Sequence, residues 1–235
     1  MAQLLIFMKG TKMQDLTQRI DEYIHSIANN KFKDVTPDKY RIMKYPKLIP
    51  MMKFSVSCYE AEDLGHLMIM NTNGMGGAMK LQTLSFTPNT GKDIPYLLID
   101  SMVMKKKALA YVEYYNCTQK NLNIEGFGKV KEKYKNVPDY AEKDAWYIKE
   151  RTQDSLIKGG ENADENLLYD MVRESIDAYL AAAKEAPADK ENLIGLKAFQ
   201  NRMLKEGNPS EGTMVKVLGK EGYEEFYKNC IMPVL

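Results

Sequence analysis

Apolar residues recur at helical spacing near the start of the chain. Over residues 12–30 they line one face of an amphipathic helix: Leu16, Ile20, Tyr23, Ile24 and Ile27. This spacing predicts a surface helix that buries one stripe against a core. Pro37, Pro46 and Pro50 follow in the next stretch, which predicts irregular chain because proline interrupts regular backbone hydrogen bonding.

Between residues 51 and 116 the pattern changes to short apolar runs separated by turn residues. These runs predict the strands Lys53–Tyr59, His66–Asn71, Met79–Thr87, Tyr96–Met104 and Ala108–Asn116. Gly74–Gly77 and Asn89–Asp93 are predicted to be turns between them. Connections this short favour antiparallel neighbours, because a parallel crossover needs about a dozen residues or more.

Several of these strands are apolar on both faces, for example Tyr96–Ile99 and Met102–Met104. A sheet of that kind has to be covered on both sides. Helices from the two ends of the chain can supply the covers. The pattern therefore predicts an α/β fold, a three-layer α/β/α sandwich with a central, mainly antiparallel sheet flanked by helices. One domain is predicted to span residues 1–235.

The last third of the chain is predicted to be helical. Residues 119–160 are mixed and charged, which favours a loop-rich connection around Trp146. From residue 164 a helical face follows, made of Leu168, Met171, Val172, Ile176, Tyr179, Leu180 and Ala183. Pro187 ends that helix, and a second one is predicted from about Asp189 to Glu206.

The segment Asn208-Pro209-Ser210-Glu211 has the pattern of a helix start. It offers asparagine as the N-cap, proline at the first helical position and glutamate at the third. Gly219 is predicted to end this short helix. A last helix is indicated by apolar residues at helical spacing: Tyr223, Phe226, Tyr227, Cys230 and Ile231. The predicted C-terminal helices together cover about residues 164–232.

Composition narrows the function classes. The formal net charge is +1, which argues against a nucleic-acid binder, since such proteins usually carry a basic excess. The three cysteines are scattered and odd in number, so a reducing, cytoplasmic setting is expected. No apolar run approaches the roughly 18 residues of a membrane helix, and residues 2–8 lack the features of a signal peptide. We therefore expect no nucleic-acid partner, no membrane partner and a monomer.

Metal and histidine chemistry are poorly supported by this sequence. Only His25 and His66 are present, without a Cys/His cluster of metal-binding spacing, and both are predicted to be structural. The sixteen methionines have two readings. They either fill a methionine-rich core or line a site for an apolar ligand, because methionine adapts to irregular shapes.

Asp100 is the most informative candidate residue, because it interrupts the apolar strand Tyr96–Met104. A carboxylate rarely enters such a run without a partner. If it has none, loss of water raises its pKa and makes it a proton donor near neutral pH. The alternative is an aspartate bonded to the backbone or to arginine, or exposed at a strand end. Glu113 also interrupts an apolar strand, and for this residue a side chain that points to solvent from an edge of the sheet is favoured.

Other candidate motifs carry weaker signals. The glycines of Gly74–Gly77 and Gly126–Gly128 lack the lysine and serine of a phosphate loop, so both segments are predicted to be turns. Lys105, Lys106 and Lys107 follow the Asp100 strand. They form either a solvated turn or a docking patch for an acidic electron carrier.

Several short motifs occur in a characteristic order over residues 50–235. An apolar strand ends in Phe86-Thr87-Pro88, and Ile94-Pro95 places a proline five residues before Asp100. The other motifs are Cys58-Tyr59, Trp146, Ser155–Ile157, Asn208-Pro209, Leu218-Gly219, Tyr227 and Ile231–Pro233. In this order and spacing the chain resembles the ferredoxin-dependent bilin reductases, the family of phycocyanobilin and phytochromobilin reductases.

That resemblance implies an antiparallel sheet between helical layers, with a linear tetrapyrrole held between the sheet and the C-terminal helices. It also implies that no metal or flavin cofactor is bound. External reduced ferredoxin supplies single electrons, the bilin becomes a radical, and carboxyl groups and water supply protons. Asp100 matches the family's central proton-donating aspartate. Docking of ferredoxin is expected at Lys105–Lys107 or at the lysines from Lys129 to Lys135.

The chain also departs from the family pattern. The family's histidine and glutamate on the two preceding strands fall near Thr83 and near Met70 or Asn71, and a second aspartate is Asn208 here. An amide cannot donate a proton as a carboxylic acid does. The resemblance thus assigns Asp100 and Asn208 to the catalytic positions. Asn71, Thr83 and Glu113 are predicted to contact the substrate.

Two functions from different classes follow. The first is a reductase of biliverdin or another linear tetrapyrrole, with Asp100 as proton donor. The second is a non-catalytic protein that binds a tetrapyrrole or another small molecule on the same fold, since the other proton-donating residues are missing. A reductase of a different open-chain tetrapyrrole, such as a chlorophyll or haem breakdown product, is a further variant of the first.

Overall fold

An antiparallel sheet forms the middle layer of the protein. The computed structural model describes residues 14–62, 64–117 and 124–234. Residues 12 and 13 of the first predicted helix, and 119–123 of the predicted connection, lie outside the described residues. The strands are β1 Lys33–Asp34, β2 Ile42–Tyr45, β3 Met52–Ala61, β4 Gly65–Gly74, β5 Met79–Thr87, β6 Tyr96–Met104, β7 Lys107–Tyr115 and β8 Leu156–Glu161.

The sheet is a meander in which consecutive strands pair with one another. Its order is β1-β3-β4-β5-β6-β7-β8, and β2 pairs with β3 on the edge that β1 also occupies. Each pairing among the described strands is antiparallel. The connections between β3 and β7 are too short for crossovers, as the turn residues predicted, whereas a longer connection, residues 116–155, joins β7 to β8.

Helices cover both faces of this sheet. They are α1 Leu16–Lys31, α2 Asp38–Arg41, α3 Glu125–Lys133, α4 Glu165–Glu185, α5 Lys190–Glu206 and α6 Glu211–Phe226, followed by a π-type turn Tyr227–Ile231. Buried residues of α1, α3 and α4 share one core with one face of the sheet. Those of α2, α5 and α6 share a second core with the other face. The predicted α/β/α sandwich with a mainly antiparallel sheet is confirmed.

Helix α1 shows how the first layer is built from sequence. Leu16, Ile20, Ile24 and Ala28 repeat every four residues and are buried, so one stripe faces the sheet. Asp15 caps the helix by accepting a hydrogen bond from the Gln18 backbone N–H at 3.1 Å. No helix in the described part of the chain has the length and apolar character that crossing a bilayer requires.

The connection predicted to be loop-rich contains a helix. Helix α3 includes both glycines of Gly126–Gly128, so the prediction of a turn there was wrong. The reason is tertiary packing. Phe127 is buried and stacks on Tyr114 of β7, with ring centroids 4.1 Å apart. Such a contact outweighs the roughly 1 kcal/mol by which glycine disfavours a helix.

The helix predicted to begin after Asn208 begins later, at Glu211. Asn208 is therefore not its N-cap. Its Oδ1 instead accepts hydrogen bonds from the backbone N–H of Ser210 at 3.2 Å and from the Ser210 hydroxyl at 2.8 Å. The side chain closes a local turn, a role for which asparagine competes well. Gly219 interrupts α6 with φ of 75°, in agreement with the predicted break.

Candidate ligand-binding site

A cavity of about 250 Å³ lies between the sheet and the C-terminal helices. Its walls come from β3 to β6 on one side and from α5, α6 and the turn before α6 on the other. Most wall residues are apolar, and five of them are methionines: Met52, Met70, Met79, Met203 and Met214. Some of the methionines thus line a cavity, as one of the two interpretations expected. Methionine side chains there can adapt to the shape of a bound apolar ligand.

Asp100 is the only carboxylate among the described residues that line this cavity. Side chains alternate along β6, so Tyr96, Leu98 and Asp100 face the cavity, while Leu97 and Ile99 enter the opposite core. Asp100 pairs with Thr83 of β5 in the sheet register. The Thr83 hydroxyl donates a hydrogen bond to Asp100 Oδ1 at 2.5 Å.

Removal from water raises the pKa of Asp100 from the ordinary 3.8 to about 6, and the Thr83 hydrogen bond only partly offsets this. Among the described residues no arginine pairs with the Asp100 carboxylate, so the alternative interpretation of Asp100 as half of an ion pair is not supported. At neutral pH a measurable fraction of the Asp100 carboxyl therefore holds a proton. A pKa close to working pH is the condition under which a proton donor acts best.

The raised pKa has a consequence for stability that needs no ligand. Between pH 4 and 6 the folded protein keeps the Asp100 proton and the unfolded chain releases it, so the free energy of unfolding falls as pH rises. Asp100→Asn removes this penalty. We expect the variant to gain about 3 kcal/mol at pH 8 and nothing at pH 3, measured by urea unfolding at both pH values. An equal effect at both would contradict the raised pKa.

Asn208 also lines the cavity, together with Pro209 and Ser210. Its amide is already in use, since Nδ2 donates to the Met203 carbonyl at 3.0 Å and to the Tyr223 hydroxyl. The structure thus brings Asp100, Thr83 and Asn208 together. Asn208 closes the local turn beside the cavity. Its amide is not an acid that can donate a proton near neutral pH.

A second cavity, of about 340 Å³, shares Asp100 and Pro209 with the first. Its other walls are more polar and include Tyr111, Glu113, Tyr140, Glu142, Lys143, Tyr147 and Arg151. Asp100 therefore stands at the boundary between an apolar compartment and a polar one. A ligand that is apolar over most of its length and polar at one side matches this division.

Contrary to the prediction, Glu113 does not face solvent: only 2% of the residue is exposed. It forms an ion pair with Arg151, and the Tyr115 hydroxyl donates a hydrogen bond to it at 2.6 Å. Arg151 also binds Glu142, so two carboxylates share one guanidinium. Burial raises the pKa of Glu113 to about 7, while Arg151 opposes that rise.

Nothing in the sequence distinguishes Arg151 as the partner of Glu113. A buried acid such as Glu113 demands a cationic partner, but the chain contains 33 lysines and arginines in total. The partner lies 38 positions away along the chain and is brought in by the segment before β8. Only the packing of that segment against β7 selects it.

Asn71 does not join this site, which corrects its predicted role in substrate contact. Successive strand residues point to opposite faces, so Met70 enters the cavity and Asn71 faces helix α1. There the Asn71 amide donates a hydrogen bond to Asp21 Oδ1 at 2.7 Å. Of the two positions that the family resemblance left open, Met70 is the one at the cavity.

The predicted docking lysines divide between the two faces of the sheet. Lys107 donates a hydrogen bond to the Tyr140 hydroxyl at 2.9 Å, and Tyr140 lines the second cavity. Lys105 and Lys106 belong to the same exposed turn between β6 and β7. By contrast, the lysines of α3 lie in the opposite helical layer, and Lys129 and Lys133 there pair with Glu125 and Glu174.

Both histidines have structural surroundings. Buried His66 bonds through Nε2 to the Cys230 carbonyl at 2.9 Å, and burial lowers its pKa to about 4. His25 Nδ1 lies 3.2 Å from the Tyr59 hydroxyl. Within the described ranges, no three His, Cys, Asp or Glu side chains are grouped so that they could hold a metal ion.

Comparison with known proteins adds a fold relationship. No protein-family profile matches the chain, and no curated protein matches it in sequence. Among solved structures, the chain resembles the crystal structure of phytochromobilin synthase from tomato in complex with biliverdin. The TM-score is 0.72 over 91% of this chain and 82% of that one, at 12% sequence identity. This chain shares its fold with a protein that binds biliverdin.

Proposed function

We propose that the protein reduces a linear tetrapyrrole, with Asp100 as the residue that delivers a proton to it. The observation that supports this most directly is a single carboxylate of raised pKa in the wall of a mostly apolar cavity. Such a perturbed group in a concave site is the usual mark of a functional acid. The fold shared with phytochromobilin synthase and the Pro95-to-Asp100 spacing support the same ligand class.

The shape of the site suits an elongated, conjugated molecule. The apolar cavity of about 250 Å³ falls just below the roughly 300–1,000 Å³ of most small-molecule sites. A molecule of four pyrrole rings has to extend past Asp100 into the second cavity. Its apolar rings would then lie among the methionines, and its polar edge would reach Tyr111, Tyr140 and Lys143.

Reduction of one double bond takes two electrons and two protons. Asp100 supplies one proton in this proposal and water supplies the other. The electrons would come from an external carrier, for which reduced ferredoxin is proposed. Lys105–Lys107 lie beside the second cavity, because Lys107 bonds to Tyr140 in its wall. Their positive charge suits an acidic carrier.

Ligand binding can be tested separately from turnover. We expect biliverdin to bind with a shift in its visible absorption, and Leu98→Trp to weaken binding at least tenfold because the indole fills the cavity beside Asp100. Leu167→Trp, on the exposed surface of α4, is the matched control and should bind normally. Absorption titration measures both. Normal binding by Leu98→Trp would place the ligand elsewhere.

A non-catalytic binding protein is the second candidate, favoured by one observation. Asn208 stands where the resemblance places a second acid, and its amide is engaged by Met203 and Tyr223. The first cavity then offers one carboxylate for a reaction that needs two protons. Biliverdin that binds and stays unreduced after addition of reduced ferredoxin would support this candidate over the reductase.

A further inference from the structure

Two hairpin turns meet at one end of the sheet. The turn between β2 and β3 spans residues 46–51, and the turn between β4 and β5 spans Met75–Gly77. The backbone N–H of Met75 donates a hydrogen bond to the Met51 carbonyl at 3.1 Å. The two turns therefore form one surface, which we call the tip patch and define by Leu48, Ile49, Met51 and Met75.

The tip patch exposes large aliphatic side chains to an unusual degree. Leu48 is 96% exposed and Ile49 81%, while Met51 and Met75 are 65% and 57% exposed. A Cβ atom added to Gly76 or Gly77 would meet no atom within 4 Å, so the second turn projects into open space. Grouped exposed apolar residues mark interaction surfaces, whereas single ones need no explanation.

Positive charge surrounds the tip patch. Lys44, Lys47 and Lys53 lie in the same hairpin and are exposed. The sequence has no Asp or Glu from residue 42 to 59 or from residue 64 to 92, although acidic residues nearly equal basic ones in the whole chain. The two hairpins that carry the exposed aliphatic residues thus present cations without local acidic neighbours along the chain.

We propose that the tip patch docks onto an anionic lipid surface. Leu48 and Ile49 would enter the boundary between headgroups and acyl chains, and the lysines would pair with anionic headgroups. An acidic protein would match the lysines, but it would also need a pocket shaped for the projecting aliphatic residues. A lipid surface accepts them without one. Peripheral docking of this kind requires no spanning helix.

The tip patch also adjoins the cavity. Met52 follows Met51 directly and lines the cavity, as does Met79, two residues after Gly77. Docking would hold the methionine-lined end of the cavity next to the lipid. An apolar ligand dissolved in the membrane would then have a short path to the site, whatever its chemical identity.

The test is sedimentation of the full chain with vesicles. One preparation contains phosphatidylcholine alone, and the other contains equal parts of phosphatidylcholine and phosphatidylglycerol. We expect binding to the anionic vesicles only. Replacing Lys44, Lys47 and Lys53 by glutamine should weaken it about fivefold per lysine. Leu48→Ser with Ile49→Ser should weaken it about tenfold per residue.

Ile194→Ser is the matched control, because Ile194 is 71% exposed on helix α5. This variant should bind like the unmodified protein, and circular dichroism should show all variants folded. Equal binding to neutral vesicles, or unchanged binding by the Leu48/Ile49 variant, would overturn the proposal. A lack of vesicle binding would also overturn it. If the chain then forms a concentration-dependent dimer that the Leu48/Ile49 variant abolishes, the tip patch would be assigned to contact with a second copy of the chain.

Discussion

Asp100→Asn is expected to lower the rate of biliverdin reduction about 10²–10⁴-fold, the usual contribution of a positioned general acid. The amide has nearly the shape of the carboxyl and can still accept the Thr83 hydrogen bond, so biliverdin should bind with little change. Loss of rate without loss of binding is the signature of a group that acts on the transition state. Single-turnover absorption with reduced ferredoxin measures the rate, and titration in its absence measures the affinity.

The pH dependence gives this result a second readout. With a pKa of about 6 for Asp100, the rate should be level below pH 6 and fall tenfold per pH unit above it, since only the protonated carboxyl donates. Asp21→Asn is a suitable control, because Asp21 lies on the opposite side of the sheet with Asn71. Full turnover by Asp100→Asn would exclude this carboxyl as the donor.

Arg151→Met is expected to destabilise the fold by about 3–5 kcal/mol, because it leaves buried Glu113 without its cationic partner. The loss should grow between pH 6 and 8. The pKa of Glu113 is already about 7, and without the guanidinium it rises further, so ionisation at high pH costs more. Urea unfolding monitored at both pH values measures the effect.

A double variant separates the lost ion pair from lost packing. Glu113→Gln combined with Arg151→Met removes the charge that would be left unpaired, and most of the stability should return. Arg173→Met is the control, since Arg173 is a partly exposed arginine of α4 with acidic neighbours and should change stability by less than 1 kcal/mol. A loss that the double variant does not relieve would show that packing dominates.

The strands show where sequence patterns are most informative. Met79–Thr87 and Tyr96–Met104 have the predicted limits, and β3, β4 and β7 differ from prediction by a few residues at their ends. The connections before and after β5 contain Gly76, Gly77, Asn89 and Gly91, whose backbone preferences are local. Helix α3 lacks such a signal. Its glycines disfavour a helix, and burial of Phe127 and Val130 in the tertiary structure stabilises the helical form.

The candidate site divides in the same way. An acid in an apolar strand identified Asp100 from sequence, because burying a carboxylate is costly enough to stand out. The environment of Glu113 could not be predicted, since its partner Arg151 comes from a distant segment. The predicted contact of Asn71 with the substrate was wrong for a geometric reason. A shift of one residue along a strand moves a side chain to the opposite face.

The sequence by itself determined the layered architecture, five strands of the sheet with the limits of two of them, and Asp100 as the acid of strand β6. Periodicity and turn chemistry act over a few residues, so they can be read along the chain. The tertiary structure alone decided that two cavities meet at Asp100, that Arg151 serves two carboxylates, and that two hairpin turns form one exposed patch. Those features join residues far apart in the chain, and only packing of the complete fold brings them into contact.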